Sequence, residues 1–408
     1  MNKKIEDLWK TSKEVISDCC LENGAIVAAN STKPYFPKEA KNYFFVWPRD
    51  AFYICTAAKL LGLSAGEKFF RWCMGAEDWE KTGLFYEKYF IDGRKARHHF
   101  QPDQTGSILI ALYNYCKDFK EKNEDKQPFS LKQSFTQKQS FILKFKRLIS
   151  GCANGLCRIW DKDHFSIVTE DLWEERLCFP DLKENFTYSL AICCRGLLSA
   201  NEIIPTKRWL ETAEEMEKTL LSSFDNYFFR SFSRRDEIKE IHRINDTRVD
   251  ASLLGLVWPA ELVKAGDKRM KKTVKLMEEK LVQNYGVHRY EHDEYDGWMY
   301  EKDTCRRKGA GYWPLLNFWI AIYFAESYLI EKNGQDKKGR SENEEKERSK
   351  NKKNALKYYY KVLGDLGNKK YIPEQFFDNN IQVSVSPLCW SQAMFVIATE
   401  KLQILEKK

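Results

Sequence analysis

The sequence predicts an all-α protein of about a dozen helices, and three observations carry that prediction. Apolar residues recur at helical spacing through most of the chain, strand signals are scarce, and short connectors alternate with long ones. Hydrophobic residues make up 43% of the 408 residues, which is enough for a large core. Alternating connectors favour helical hairpins packed side by side, arranged either as an open solenoid or as a closed ring.

The predicted helices have recognisable starts, stops or apolar stripes. The first pattern runs from Ile5 to Cys20 and stops at Glu22-Asn23-Gly24. Pro48 suits the first turn of the next helix, which ends at Gly62 because glycine favours a helix C-terminus. Later helical patterns occupy Gly66–Trp79, Ser107–Tyr115, Phe141–Ser150, Phe186–Ala200, Lys207–Phe224, Ala251–Val263, Lys268–Gln283, Leu315–Ile330, Asn354–Leu363 and Pro387–Leu405. No motif repeats at a fixed period, which weakens the solenoid alternative.

The formal net charge of +8 is concentrated in two lysine-rich segments. Nine basic and four acidic residues lie between Lys117 and Arg147, and nine basic and six acidic residues lie between Glu331 and Asn354. The rest of the chain is balanced, which is typical of solvated insertions and not of a phosphate-binding face. We therefore expect flexible insertions near residues 117–138 and 331–354, and no nucleic-acid partner. A nucleic-acid binder is the weakest alternative and would depend on those insertions.

Cysteine spacing and hydropathy indicate the compartment. No two of the twelve cysteines have the two-residue gap of a zinc knuckle or a redox dithiol, and the histidines are scattered. The charged N-terminus lacks the apolar core of a signal peptide, and the longest apolar stretch, Trp313–Ala325, is too short for a membrane span. The sequence predicts a cytoplasmic protein with reduced thiols and with no metal, cofactor or membrane partner.

The segment Asp171–Arg176 is the strongest candidate for chemistry. In it, Trp173 is followed directly by Glu174 and Glu175. A large ring beside charges favours a half-buried cleft, where desolvation raises the pKa of a carboxyl group so that it stays protonated near neutral pH. The ordinary alternative is an amphipathic helix edge with surface ion pairs, and on these residues alone it is the commoner one.

Two further groups of polar residues have ordinary alternatives as well. Arg49 and Asp50 form either an ion pair in the first turn of a helix or a pair that grips two adjacent hydroxyls of a ligand. Glu374, between Pro373 and Gln375, is more often a helix start than a catalytic group. Arg289 is more often a surface residue, although Tyr290, Tyr295 and Trp298 follow it and provide faces on which a sugar can stack.

Five ordered blocks resemble the signature of the glucoamylase family, glycoside hydrolase family 15. The blocks are Tyr43–Asp50, Gln101–Gly106, Asp171–Arg176, Gly286–Tyr290, and Pro373–Gln375 with Pro387–Ser391. The resemblance extends from about Glu22 to Ile397. It implies an (α/α)6 barrel with six outer and six inner helices, a single catalytic domain over residues 1–408, and inverting hydrolysis of a non-reducing terminal α-glucoside. Many microbial members also carry an N-terminal β-sandwich domain, and we expect none here because no segment of this sequence is long enough to form one.

The resemblance also implies a role for each matching residue. Glu174 is similar to the family's general acid and Glu374 to its general base. Arg49 and Asp50 resemble the pair that holds the terminal glucose, and Glu175 and Arg289 resemble groups that hold the terminal or the next sugar. Tyr43 and Trp47 resemble aromatics beside the terminal sugar, and Trp173 and Trp390 are similar to pocket-wall indoles. Two departures from the family pattern are Asp296-Gly297-Trp298-Met299 in place of a Gly-Gly-x-Pro-Trp turn, and His98-His99-Phe100 where a tryptophan often stands.

The chemistry agrees with these roles. Cleavage of an acetal needs one carboxylic acid to protonate the leaving oxygen and one carboxylate to activate water on the opposite face of the ring. Inversion requires the two carboxyl groups to be roughly 6.5 to 9.5 Å apart. Because Glu174 and Glu374 are two hundred positions apart in the sequence, only a closed fold brings them to one sugar.

The favoured function is an exo-acting α-glucosidase that releases β-glucose from maltooligosaccharides or glycogen-like glucans. A trehalase or another α-glucoside hydrolase of the same family is the nearest alternative. A non-catalytic, carbohydrate-sensing barrel is the alternative from another class. Retention of both Glu174 and Glu374 favours the enzyme.

Overall fold

A computed structural model describes residues 3–121, 128–234, 245–297, 310–333, 342–378 and 384–406. The α-helices in these ranges are α1 (Lys3–Cys19), α2 (Pro48–Leu60), α3 (Gly66–Met74), α4 (Trp79–Thr82), α5 (Pro102–Glu121), α6 (Pro128–Ile159), α7 (Thr187–Ile203), α8 (Lys207–Leu221), α9 (Lys268–Leu281), α10 (Pro314–Asn333), α11 (Glu342–Leu366) and α12 (Cys389–Glu406). Two 3-10 helices span Pro180–Leu182 and Ala251–Leu256.

Very short strands connect some of the helices. They form five antiparallel ribbons of two strands each within the described residues. The ribbons pair Trp160–Asp161 with His164–Phe165, Thr169–Glu170 with Leu177–Cys178, Glu184–Phe186 with Ser231–Ser233, Phe224–Asp225 with Tyr227–Phe228, and Val282–Gln283 with Gly286–Val287. No described strand joins two ribbons into a larger sheet, as the scarcity of strand signals predicts.

Six elements form a closed inner ring. Helix α2 packs against α5, α5 against α7, and α7 against the 3-10 helix Ala251–Leu256, which contacts α10; α10 packs against α12, and α12 returns to α2. This last contact closes the ring and excludes the open solenoid. Helix α10 is apolar on nearly all sides, as expected for an element surrounded by other helices.

The remaining long helices form an outer layer. Helix α1 packs on α12, α6 on α5, α8 on α7, and α11 on α10. These helices bury one face only: in α9, for example, Met270, Val274 and Met277 point inward from a helix otherwise rich in lysine and glutamate. An inner ring inside an outer layer is the (α/α)6 barrel that the family resemblance predicts.

Glycines and aromatic rings allow the inner helices to pack closely. A Cβ atom on Gly106 would lie 2.5 Å from the Ile192 carbonyl oxygen, and one on Gly196 would lie 2.8 Å from the Gly106 Cα. Glycine at both positions therefore permits the close contact of α5 with α7. Between α2 and α12, the Tyr53 ring stacks on that of Trp390, with centroids 4.9 Å apart.

The helix predicted at Ala251–Val263 is wrong beyond its first part, since only Ala251–Leu256 is helical and that part is a 3-10 helix. Pro259 lacks the backbone donor that a helix needs and disfavours helical geometry at the preceding residue. The backbone at Gly255 also packs closely against α7, because a Cβ atom on Gly255 would lie 2.6 Å from the Tyr188 ring.

The two lysine-rich segments also differ from the loops that were expected. Residues 117–121 continue α5, residues 128–138 begin α6, and residues 342–354 belong to α11. Lysine, glutamine and glutamate have good helix propensity, so a polar composition alone does not distinguish an insertion loop from a solvated helix. Residues 331–333 end α10, and residues 122–127 and 334–341 of the predicted insertions lie outside the described residues.

Two further observations concern cysteines and membranes. The cysteines within the described ranges are free thiols, and most of them are buried, as small core residues are expected to be. Among the helices of the described residues, none combines the length and the hydropathy that a membrane crossing requires.

Candidate active site

One cavity of about 430 Å³ opens at one end of the inner ring. Its size is typical of small-molecule sites. It is lined by every site residue predicted from the sequence: Tyr43, Trp47, Arg49, Asp50, Trp173, Glu174, Glu175, Arg289, Glu374 and Trp390. Residues that are more than three hundred positions apart in the sequence thus share one site.

A tight turn presents Glu174 to the cavity. The turn connects the paired strands Thr169–Glu170 and Leu177–Cys178, so the alternative of a helix edge is wrong. Asp171 organises it, because its Oδ1 accepts hydrogen bonds from the backbone N–H groups of Glu175 (2.8 Å) and Arg176 (3.1 Å). Glu174 has a left-handed backbone with a φ of 62°, which is uncommon for a residue with a side chain and often marks functional sites.

The Glu174 carboxyl group lies between an indole and several charges. The Trp47 indole N–H donates to Glu174 Oε1 over 2.7 Å, and Lys88 Nζ lies 3.7 Å from Oε2. Burial raises the pKa of Glu174 to about 8, with the Glu87 carboxylate adding to the rise and with Lys88 and Arg49 opposing it. Glu174 therefore retains its proton near neutral pH.

Glu374 is held more deeply, with 3% of the residue exposed. Its backbone N–H donates to the Val385 carbonyl over 2.8 Å, and its Oε1 accepts a hydrogen bond from the Tyr43 hydroxyl over 3.0 Å. Burial raises the pKa of Glu374 to about 7, while Tyr43, Arg289 and Lys41 favour the ionised form. Its Oε2 has no hydrogen-bond partner among the described residues.

Two aromatic side chains link the carboxyl groups. Tyr43 contacts Glu374, Trp47 contacts Glu174, and the Tyr43 and Trp47 rings lie 5.6 Å apart between centroids. A single segment ahead of α2 therefore sets the positions of both acids, which arrive from distant parts of the chain. The Tyr43 hydroxyl also lies 2.7 Å from that of Tyr295.

Arg49 and Asp50 lie at the buried end of the cavity, with 4% and 5% of each residue exposed. The Arg49 backbone N–H donates to Gln104 Oε1 (2.7 Å), and its guanidinium donates to Gln101 Oε1 (3.0 Å) and to Asp103 Oδ2 (3.2 Å). The block Gln101–Gly106 thus fixes Arg49. Burial raises the pKa of Asp50 to about 6, and the Arg49 charge opposes that rise.

Arg289 forms one wall of the cavity. Its guanidinium donates to Asp293 Oδ1 (2.7 Å) and to Glu175 Oε1 (2.6 Å), so it holds Glu175 in place. It also lies over the rings of Trp173 and Trp313, 5.1 Å from each centroid. The Trp173 indole N–H donates to Asp250 Oδ2 over 3.0 Å. This hydrogen bond fixes the orientation of the Trp173 ring, which was predicted to form part of the pocket wall.

Sequence reasoning missed several residues of the site. Lys41, Lys88, Arg97 and Trp313 line the cavity, and Glu87 lies close enough to act on Glu174 and to pair with Lys88. The signal for the two lysines and Arg97 was weak, because isolated basic residues are common on surfaces. Trp298 and Met299 belong to the segment that stands in place of the family's Gly-Gly-x-Pro-Trp turn. Both lie outside the described residues.

One group of residues has side chains of the type that ligate metals. Ligand-type atoms of Glu87, His99 and Glu170 lie within 4.8 Å of one another. His99 Nδ1 contacts Glu170 Oε1 at 2.8 Å, and Lys88 Nζ contacts Glu87 Oε1 at 2.8 Å. Each carboxylate already has a neighbour, Lys88 for Glu87 and His99 for Glu170, so these contacts account for the group.

Comparisons with known proteins agree with this geometry. The model of the family described as glycosyl hydrolases family 15 matches residues 75–400. An uncharacterized glycosyl hydrolase of Methanocaldococcus jannaschii is 26% identical over 409 residues, an alignment that covers 97% of this chain and 56% of that protein. The chain therefore spans just over half the length of this curated relative.

Solved structures share the fold. Hormoconis resinae glucoamylase has a TM-score of 0.71 and 14% identity, with 97% of this chain and 73% of that chain covered. A glycosidase in complex with glucose has a TM-score of 0.68 and 17% identity over 98% of this chain and 97% of that chain. A bacterial glucoamylase complexed with acarbose has a TM-score of 0.64 and 17% identity over 97% and 55% of the chains. At these identities the likeness establishes the fold.

Proposed function

The chain belongs to glycosyl hydrolase family 15, and from that premise we propose that it is an inverting, exo-acting α-glucosidase. It removes glucose from the non-reducing ends of maltooligosaccharides or glycogen-like glucans. The observation that carries the proposal is that Glu174 and Glu374 line one cavity and are linked through Trp47 and Tyr43.

The depth of the cavity supports exo-action. Arg49, Asp50 and Trp390 are nearly fully buried at its inner end, where a terminal sugar is held by its outer hydroxyls. A carboxylate beside a guanidinium binds two adjacent hydroxyls strongly because the partners are charged. A chain therefore enters end first, and one glucose is cleaved in each event.

The protonation states support the division of roles. Between pH 7 and 8, Glu174 with a pKa of about 8 is mostly protonated and Glu374 with a pKa of about 7 is mostly ionised. Glu174 then protonates the leaving oxygen while Glu374 takes a proton from an attacking water. Glu374 Oε2 is buried and has no hydrogen-bond partner among the described residues, so its capacity to accept a hydrogen bond is unused.

Proton NMR of the fresh reaction mixture tests the proposal. Maltotriose is expected to give β-glucose as the first product, before mutarotation. A first product with the α configuration would contradict inversion, release of maltose from the non-reducing end would contradict removal of single glucose units, and internal cleavage of longer substrates would contradict exo-action.

A panel of maltose, maltotriose, starch, isomaltose and trehalose identifies the linkage. Hydrolysis of maltose and maltotriose above the others is the expected result. Preference for trehalose would assign the chain as a trehalase. Sugar binding without hydrolysis of any of the five would favour a carbohydrate-sensing barrel over an enzyme.

A further inference from the structure

We propose that the leaving-group side of this pocket accepts an anionic aglycone, a sugar that carries a carboxylate or a phosphate. The inference rests on the proposed function, because it uses Glu174 as the acid that protonates the leaving oxygen. It goes further by naming the chemical class of the group that leaves.

Glu174 marks the position of the leaving group. The sugar that is cleaved off lies towards Arg49 and Asp50, so the leaving group lies on the other side of Glu174, at the cavity mouth. Lys88 occupies that side: its Nζ is 3.7 Å from Glu174 Oε2 and 4.8 Å from the Trp47 ring centroid. A bound aglycone therefore contacts the surroundings of Lys88.

Three basic side chains converge there, since Lys41, Lys88 and Arg97 all line this cavity. The pKa of Lys41 is lowered, first by burial and then by the charge of Lys88, with Arg97 acting in the same direction; the carboxyl groups of Glu174 and Glu374 oppose the shift. These couplings place all five groups within electrostatic range of one another.

The charges in this region are not all matched. Lys88 Nζ lies 2.8 Å from Glu87 Oε1, and the side chain is 16% exposed. Arg97 is exposed and makes no ion pair with any residue in the described ranges. When Glu174 carries its proton, the Arg97 charge has no carboxylate partner among the described residues at the mouth, and an anion pairs with it where a neutral sugar does not.

The same side offers a surface on which a sugar ring can stack. Phe45 and Phe90 line the cavity beside Lys88, with ring centroids 5.4 Å apart, and Phe90 is 40% exposed. An exposed aromatic face next to cations suits a ligand with an apolar ring face and an anionic substituent.

Matched substrates test the inference. Maltobionate and maltitol share the glucosyl unit and linkage, and their aglycones differ by a carboxylate against a hydroxymethyl group. Maltose phosphorylated at O6 of its reducing glucose, compared with maltose, is the phosphate pair. We expect kcat/KM for at least one anionic substrate to exceed that of its neutral partner about fivefold or more, since each partly exposed ion pair contributes a few-fold. The ratio should fall as salt is added.

Two arginines provide matched variants. Arg97→Gln should bring the anionic-to-neutral ratio close to one, and Arg97→Lys should retain most of it. The control is Arg94→Gln on the same loop, since Arg94 pairs with Asp92 at 2.8 Å and does not line the cavity; it should leave the ratio unchanged. Circular dichroism and thermal melting confirm that each variant is folded.

The outcomes separate the two proposals. Hydrolysis of maltitol and maltose without any preference for their anionic partners overturns the anionic aglycone and leaves the α-glucosidase standing. A preference that survives Arg97→Gln unchanged also overturns the site as assigned. If no substrate of either pair is cleaved, the proposed function itself fails.

Discussion

Glu174 and Glu374 line the same cavity, yet they are held in different ways. Glu174 lies on a turn at the mouth, its side chain is 30% exposed, and charged side chains surround it. Glu374 is 3% exposed and is fixed by backbone and phenol hydrogen bonds. Burial is the main cause of the raised pKa of both groups. The neighbours that modify it differ: Lys88, Arg49 and Glu87 act on Glu174, whereas Tyr43, Arg289 and Lys41 act on Glu374.

Substitution of the two carboxyl groups is expected to have the largest effect. Glu174→Gln and Glu374→Gln should each lower kcat on maltose by about 10² to 10⁴, the usual contribution of a general acid or base. Activity of either variant near the wild-type value would contradict the site assignment.

A substrate that needs no acid sharpens this test. α-Glucosyl fluoride has a leaving group that departs with little protonation, so Glu174→Gln should retain much of the activity on it while Glu374→Gln should not. Release of fluoride, followed with an ion-selective electrode, distinguishes the two roles. An equal loss of activity on α-glucosyl fluoride in both variants would contradict the assignment of Glu174 as the acid and Glu374 as the base.

The pH profile of the unmodified protein gives the next largest effect. Activity is lost as pH rises through the Glu174 pKa of about 8, because the acid loses its proton, and as pH falls through the Glu374 pKa of about 7, because the base gains one. kcat/KM for maltose should therefore peak between those values and fall roughly tenfold per pH unit outside them. A flat profile from pH 6 to 9 would contradict both assignments.

Tyr43→Phe tests the hydrogen bond that reaches Glu374. A hydrogen bond to a charged group contributes about 1.5 to 3 kcal/mol, so kcat/KM should fall roughly tenfold to a hundredfold. Because Tyr43 favours the ionised form of Glu374, the acidic limb of the profile should move to higher pH. The matched variant Trp47→Phe removes a hydrogen bond from Glu174 instead and should leave that limb in place.

Glu87→Gln is expected to have the smallest effect. Glu87 raises the pKa of Glu174, so its neutralisation should move the alkaline limb to lower pH and reduce the rate a few-fold at pH 8. The acidic limb should not move, because Glu87 is not among the groups that shift Glu374. Movement of both limbs together would indicate a general structural change.

Much of the fold could be predicted from the sequence, because a helix with one buried face repeats its apolar residues at a regular spacing. Pro48 and Gly62 delimited α2 closely, since α2 begins at Pro48 and ends at Leu60. The prediction failed where composition misled it: residues 128–138 are polar but helical, and Ala251–Val263 is apolar but turns sharply near Pro259.

The candidate site was predictable where residues occur in ordered blocks. Glu374 has no local feature that distinguishes it from a helix start, and only its place in the series of blocks identified it. Glu87 and Lys88 belong to none of those blocks, so their approach to Glu174 emerges only when the chain is folded. Electrostatic neighbours of this kind depend on tertiary structure, which residue spacing does not encode.

The contact that closes the inner ring has a consequence for biosynthesis. Trp390, in the first turn of α12, stacks on Tyr53 of α2 and lines the cavity, and Gln392 accepts a hydrogen bond from Ser12 over 2.8 Å. A ribosome that has translated to the end of α11 has produced Glu174, Arg49 and Asp50, but neither Glu374 nor Trp390. We therefore expect the cavity to be completed late, when the emerging α12 docks against segments made much earlier.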